Sequence, residues 1–273
     1  MLQILLSSVV FIKISSSFLY FLSMAGVSFF GEVIQQSSRA FWNDEDSDDE
    51  NDASAEAKLH LTQNAEQDSS YHTLIIADGQ IANEFVQFFL VDSKQCEVAK
   101  IHSSDDSPRR TYATLLKLKE SVLLCVCSNV PVEYANQITE MLSPWIKGAS
   151  QIIILGSAVN TYYKCDNFDL LPPSFLRSLK TCTWKESVIA PPLEIPNTVI
   201  GVPASVLSFC EILDISAVLY VCYADSLHID SQSIQPLFNL FHTTPELSSL
   251  LKTDKNLKNY HYSSSITQSN MYL

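Results

Sequence analysis

The chain has 273 residues, 47% of them hydrophobic, with 30 acidic against 17 basic side chains and a net charge of −13. That length allows one large domain or two small ones, and the apolar content is ample for a core. The shortage of Lys and Arg argues against a nucleic-acid binder, and six glycines are too few for a glycine-rich nucleotide loop.

Residues 1–23 are apolar and Ser-rich, with Lys13 inside the run and no basic residue before it. They read as a poor signal-like or anchor-like segment. Met24-Ala25-Gly26 reads as a second start, so an upstream extension of the gene model is the favoured interpretation. Residues 24–42 form an arm rich in aromatic and apolar side chains (Phe29, Phe30, Val33, Ile34, Phe41, Trp42). Asp44 to Asp52 then holds seven acidic residues, and residues 43–70 are expected to be a disordered acidic linker.

The folded body is expected over 71–262. Thr73 to Ala77 is a predicted strand, turned by Asp78-Gly79 into a helix over Ile81 to Val91 with Phe85, Phe88 and Phe89 on its apolar side. Glu97 to His102 is a short strand. Tyr112 to Leu118 and Ser121 to Ser128, split by Lys119-Glu120, read as a hairpin. Val132 to Lys147 is helical, and Gln151 to Leu155 is a buried strand. Leu170 to Lys180, with Pro172-Pro173, reads as a loop and a short helix. Pro203 opens a helix running to Leu213, where its missing N–H costs nothing. Ser216 to Tyr223 carries no charge, as befits a strand buried on both faces of a parallel sheet. Ser231 to Phe241 and Pro245 to Asn259 read as helices. Strand, helix and buried strand in succession predict an α/β layered fold, a central mainly parallel β-sheet flanked by helices.

Candidate chemistry is sparse. The seven cysteines lack paired spacing and read as reduced, buried thiols. Cys125 and Cys127 point the same way along a strand and do not make a metal knuckle, and no His pair completes a zinc site. His228, Asp225 and Asp230 follow the 216–223 strand, where open α/β sheets place their sites, so an α/β hydrolase or phosphorylase-like enzyme is the alternative reading. The last three residues offer a sharper pattern. Met271 can fill an apolar slot, Tyr272 presents a ring with a hydroxyl tip, and the Leu273 carboxylate can be caught by a Lys or by backbone N–H groups. Composition alone would produce hydrophobic-Tyr-x in roughly 2% of such tails. Residues 263–273 read as a flexible tail that carries it.

Several runs resemble the proteasome assembly chaperone 1 family. They are Met24 to Val33, the acidic Asp44 to Asp52, Leu171 to Thr181, Pro192 to Asn197, Pro203 to Cys210, Ala217 to Tyr223 and Gln268 to Leu273. Residues 1–23 precede that family's usual start, and Glu97 to Lys119 diverges from it. The resemblance implies a non-enzymatic protein without cofactor, metal, membrane or nucleic-acid ligand, expected in the cytoplasm, with nuclear or endoplasmic-reticulum association left open. It implies a heterodimer with proteasome assembly chaperone 2 that binds alpha-type subunits of the 20S proteasome and promotes ring assembly. It also implies that Met271, Tyr272 and Leu273 enter a pocket between adjacent alpha subunits.

Overall fold

A computed structural model of the chain describes residues 59–63, 71–92, 95–103, 110–165, 171–225, 229–257 and 260. The chain divides into two units, and the described residues all belong to the one that includes 58–273. The arm at 24–42, the acidic run, most of the expected linker and the terminal tripeptide lie outside the described residues.

Eight strands form one sheet. They are β1 (Leu59–Gln63), β2 (Tyr71–Asp78), β3 (Cys96–Ser103), β4 (Thr111–Lys119), β5 (Val122–Cys127), β6 (Ala149–Val159), β7 (Phe175–Lys180) and β8 (Ala217–Ala224), with spatial order β1-β3-β4-β5-β2-β6-β8-β7. The helices are α1 (Gln80–Phe89), α2 (Ala135–Gly148), α3 (Val202–Ile212), α4 (Ser231–Thr243) and a single turn, α5 (Pro245–Ser248). The expected α/β layers are present, and the sheet is mixed. β5, β2, β6 and β8 run parallel in the centre. On both flanks the pairing turns antiparallel, through β4, β3 and β1 on one side and β7 on the other.

The central strands alternate their side chains between two cores. Leu74, Ile76, Ile152, Ile154, Leu219 and Val221 face the layer of α2 and α3, meeting Ile138, Leu142, Trp145, Val206 and Cys210. Ile75, Ala77, Ile153, Leu155, Val218 and Tyr220 face α1 and α4, meeting Phe85, Val86, Phe89, Leu237 and Phe241. Because strand side chains alternate, a parallel strand covered on both faces must be apolar throughout, and every residue of β8 is buried. Each large side chain placed in these cores contributes roughly 1.5–3 kcal/mol relative to exposure.

Four expectations change. Leu59–Gln63 is an edge strand on β3, so the body begins before Tyr71, inside the segment expected to be a linker. Phe175–Lys180 is an edge strand on β8 and not a short helix. A six-residue run cannot sustain a helix unaided, whereas the open edge of β8 satisfies its backbone at once. The helix expected to Asn259 stops at Ser248. There Lys119 Nζ donates to the Ser249 carbonyl at 2.6 Å and the Lys252 N–H donates to the Phe89 carbonyl at 3.0 Å, which takes groups that further helical turns would need. Finally, Cys96, Cys165 and Cys182 are exposed, and only Cys125, Cys127, Cys210 and Cys222 are buried. Cys96 opens β3, and Cys165 and Cys182 lie on connecting segments outside the strands and helices.

Candidate partner-binding site

The carboxyl edge of the parallel strands is where an enzyme of this architecture would keep its chemistry. Among the described residues, β2, β5, β6 and α1 meet closely there. Gly79 ends β2 at φ +91°, a conformation that favours glycine. A Cβ at that position would come within 2.7 Å of the Ser157 side chain on β6. This close approach lets Ser157 Oγ accept the Ala82 N–H at 2.9 Å, so β6 supplies the cap that α1 lacks from its own residues. On the other side Asn83 Nδ2 donates to the Cys127 carbonyl at 2.5 Å. Asp78 lies between these elements. Burial pushes its carboxyl up to about 6, against the Gly79 N–H, which pulls it down.

The cysteine pair is a buried structural feature. The Cys125 and Cys127 sulfurs lie 3.9 Å apart. The hydrogen bond with Cys125, then burial, then the neighbouring Cys125 and Asp78 charges hold the Cys127 thiol well above its ordinary range. A thiol held in that form is a poor nucleophile. Among the described residues no three His, Cys, Asp or Glu side chains group as metal ligands.

Of the residues proposed after β8, Asp225 and Asp230 are among the described residues. Asp230 caps α4, its Oδ1 accepting the Ser233 N–H at 2.8 Å and the Ser233 hydroxyl at 2.9 Å. Asp225 follows the end of β8, and His228 lies outside the described residues.

Two surfaces have the chemistry of contact areas. The first lies on the loops that follow β6 and precede α3. Arg177 donates to the Tyr163 hydroxyl at 2.8 Å and to Glu194 at 3.2 Å. Its guanidinium lies 5.0 Å from the Tyr163 ring and 4.9 Å from the Phe175 ring. The Tyr163 hydroxyl donates to Glu194, and this bond is the first cause that holds the Glu194 carboxyl low. Asn197 then ties the two loops, accepting the Lys164 N–H at 2.7 Å and donating to the Lys164 carbonyl at 2.9 Å. On this braced pair Tyr162 and Ile195 stand 77% and 79% exposed. Sequence reasoning missed this cluster, since its members come from β7 and two separate loops. The Pro192 to Asn197 run was the visible signal. The second surface is a shallow cavity of about 350 Å³ between β7 and α4, lined by Pro172, Leu176, Ile189, Pro236 and Thr243 among others.

Near the carboxyl terminus, the chain is fastened until Tyr260. Lys252 Nζ donates to the Val91 carbonyl and lies 3.0 Å from Asp92, Lys255 lies over the Phe88 ring at 4.7 Å, and the buried Tyr260 ring meets Phe88 edge-on at 5.1 Å. All of these contacts gather at the end of α1, on the amino edge of the parallel strands. Met271, Tyr272 and Leu273 follow outside the described residues. No helix among the described residues is long and apolar enough to cross a membrane.

Comparison with known proteins agrees with the architecture. A family model labelled PAC1 and described as proteasome assembly chaperone 4 matches residues 24–273. Proteasome assembly chaperone 1 of Danio rerio is 32% identical, over 84% of this chain and 92% of the relative. Its counterpart in Homo sapiens is 29% identical, over 82% of this chain and 91% of the relative. Among solved structures, Pyrococcus furiosus PbaA, an archaeal homolog of proteasome-assembly chaperone, superposes with a TM-score of 0.53 at 10% identity, covering 70% of this chain and 85% of that one. That likeness supports the fold alone. With the family model spanning the whole body and full-length relatives near one-third identity, the chain belongs to the proteasome assembly chaperone 1 family, a family of chaperones and not of enzymes.

Proposed function

We propose that this chaperone works by binding alone. In a heterodimer with proteasome assembly chaperone 2, it holds alpha-type subunits of the 20S proteasome while their ring closes, and its tail occupies the seam between two of them. The observation that supports this reading is the anchorage of Tyr260 on Phe88, from which the sequence runs on through polar residues to Met271-Tyr272-Leu273; in this reading residues 261–273 act as a tether. Fully extended, that tether would reach about 40 Å. Three terminal residues bind weakly on their own, but a body docked nearby holds them at high effective concentration. A pocket made by two subunits is filled only when both are present, so its occupancy favours the assembled pair. Cytoplasmic residence follows from the same reading.

The test is removal of Met271 to Leu273. Purified alpha subunits are incubated with the full-length and the truncated chaperone, each with its partner, and ring intermediates are resolved on native gels. Truncation is expected to leave thermal unfolding unchanged and to weaken capture of alpha subunits at least tenfold. Undiminished capture overturns the role of the tail.

A further inference from the structure

Edge strand β1 meets β3 with His60 directly opposite His102. Their ring centroids are 6.2 Å apart with planes inclined at 37°. Both imidazoles lie on the solvent-accessible side of this wing: Leu59 and Ile101, one position along each strand, face the opposite core with α2. His60 is exposed and His102 partly so. Among the described residues no hydrogen bond or ion pair engages either ring. Lys100, two positions before His102 on β3, is paired with Glu97 at 2.6 Å, which offsets its positive charge.

We propose that His60 and His102 form a cross-strand clamp for a divalent d-block cation of the zinc, nickel and copper series. Imidazole nitrogens bind these ions at about 2.0–2.1 Å. Two rings converging on one tetrahedral ion have centroids about 5 Å apart by that bond length. The observed centroid spacing of 6.2 Å exceeds that by about 1 Å, a gap of the size that side-chain rotation covers. Water completes the coordination, so the site is open and exchangeable. A hard, oxygen-preferring cation such as Mg²⁺ or Ca²⁺ has no reason to choose it.

The position gives the clamp a consequence. β1 holds on to the sheet through one neighbour only, and apart from Leu59 its residues are exposed. It is also where the preceding 58 residues join the folded body. An ion bridging β1 to β3 binds the paired strand and not the detached one, so it stabilises the junction by mass action. Ligation requires unprotonated imidazole, so binding is tested at pH 8.

Zn²⁺ and, separately, Ni²⁺ are titrated into the full chain and into the H60Q and H102Q variants, which keep side-chain bulk without the imidazole. Binding is followed by calorimetry, and native-state hydrogen exchange is followed at Leu59–Gln63. In the unaltered protein, metal at a hundred times its dissociation constant should raise amide protection of β1 roughly 100-fold. Either substitution should weaken binding at least tenfold, the least that even the loss of a supporting group around a metal ligand costs. Mg²⁺ should do neither. The exposed thiols of Cys96, Cys165 and Cys182 are competing ligands, so the exchange readout is decisive. Metal uptake that leaves β1 exchange unchanged, or that survives both substitutions, overturns the clamp. Circular dichroism of the variants without metal confirms that lost binding is not lost fold.

Discussion

Asp78 joins sequence to stability through a single carboxyl. Its ordinary value is 3.8, and burial raises it to about 6 in the folded chain. Between those values the folded state keeps a proton that the unfolded chain has released. The contribution of this group to stability therefore falls as pH rises through that window and is level above it. Asp78→Asn removes the titration while keeping an acceptor for the Gly79 N–H. In urea unfolding the variant should match the unaltered protein near pH 3.5 and exceed it by about 1–2 kcal/mol at pH 7.5, an amount discounted for partial solvent screening. A difference that is flat across that range would mean the carboxyl is not desolvated. Gly79 and Ser157 beside it were legible as a turn and as a residue after a strand. Their mutual fit was not, because it depends on two strands 78 positions apart in the chain closing on each other.

At the level of elements, β7 carries the larger lesson. Phe175, Leu176 and Leu179 fall at spacings a helix would also accept, and the preceding prolines fit either outcome. What decided the matter was the unfilled edge of β8. Once there, β7 needs its own outer edge covered, and Ser178 does this. Its N–H donates to the Pro191 carbonyl at 2.8 Å, its carbonyl accepts the Leu193 N–H at 2.9 Å, and its hydroxyl donates to the Ala190 carbonyl at 2.9 Å. Ser178→Ala leaves that buried carbonyl unpaired and should cost about 1–2 kcal/mol. Hydrogen exchange at the Leu193 amide should accelerate with it, while exchange in β2 and β6 changes only as global stability does. The α5 region follows the same logic. Its apolar spacing suggested a long helix, but Lys119 and the end of α1 compete for its backbone groups and win, and the resulting irregular segment delivers Tyr260 to Phe88.

For the whole molecule, the proposed mechanism is a matter of tether length. Tyr260 is the last described residue, and on this proposal the polar residues after it set how often the terminal tripeptide visits a pocket on a docked ring. Inserting ten Gly and Ser residues after Ser263 would lengthen the tether about 1.8-fold and lower its effective concentration roughly 2.4-fold. Deleting residues 263–270 should abolish tail-dependent capture by shortening reach below the span. Competition binding with a peptide of the last residues, against chaperone variants of different tether length, measures both. Equal capture across the series would place the binding energy in the body and not in the tail.

Sequence alone determined the α/β class, the paired cores, the β4–β5 hairpin and the family, because charge-free strands, amphipathic spacing and family-specific runs are all local in the chain. It also identified the tripeptide as the candidate contact, from three side-chain and terminal groups in a row. The tertiary structure decided what depends on neighbours far apart in sequence. It added β1 to one edge of the sheet and β7 to the other, shortened α5, brought Gly79 against Ser157, and assembled the Arg177, Tyr163 and Glu194 brace. Backbone hydrogen-bonding groups take whichever partner the assembled fold presents, and no window of sequence contains that partner.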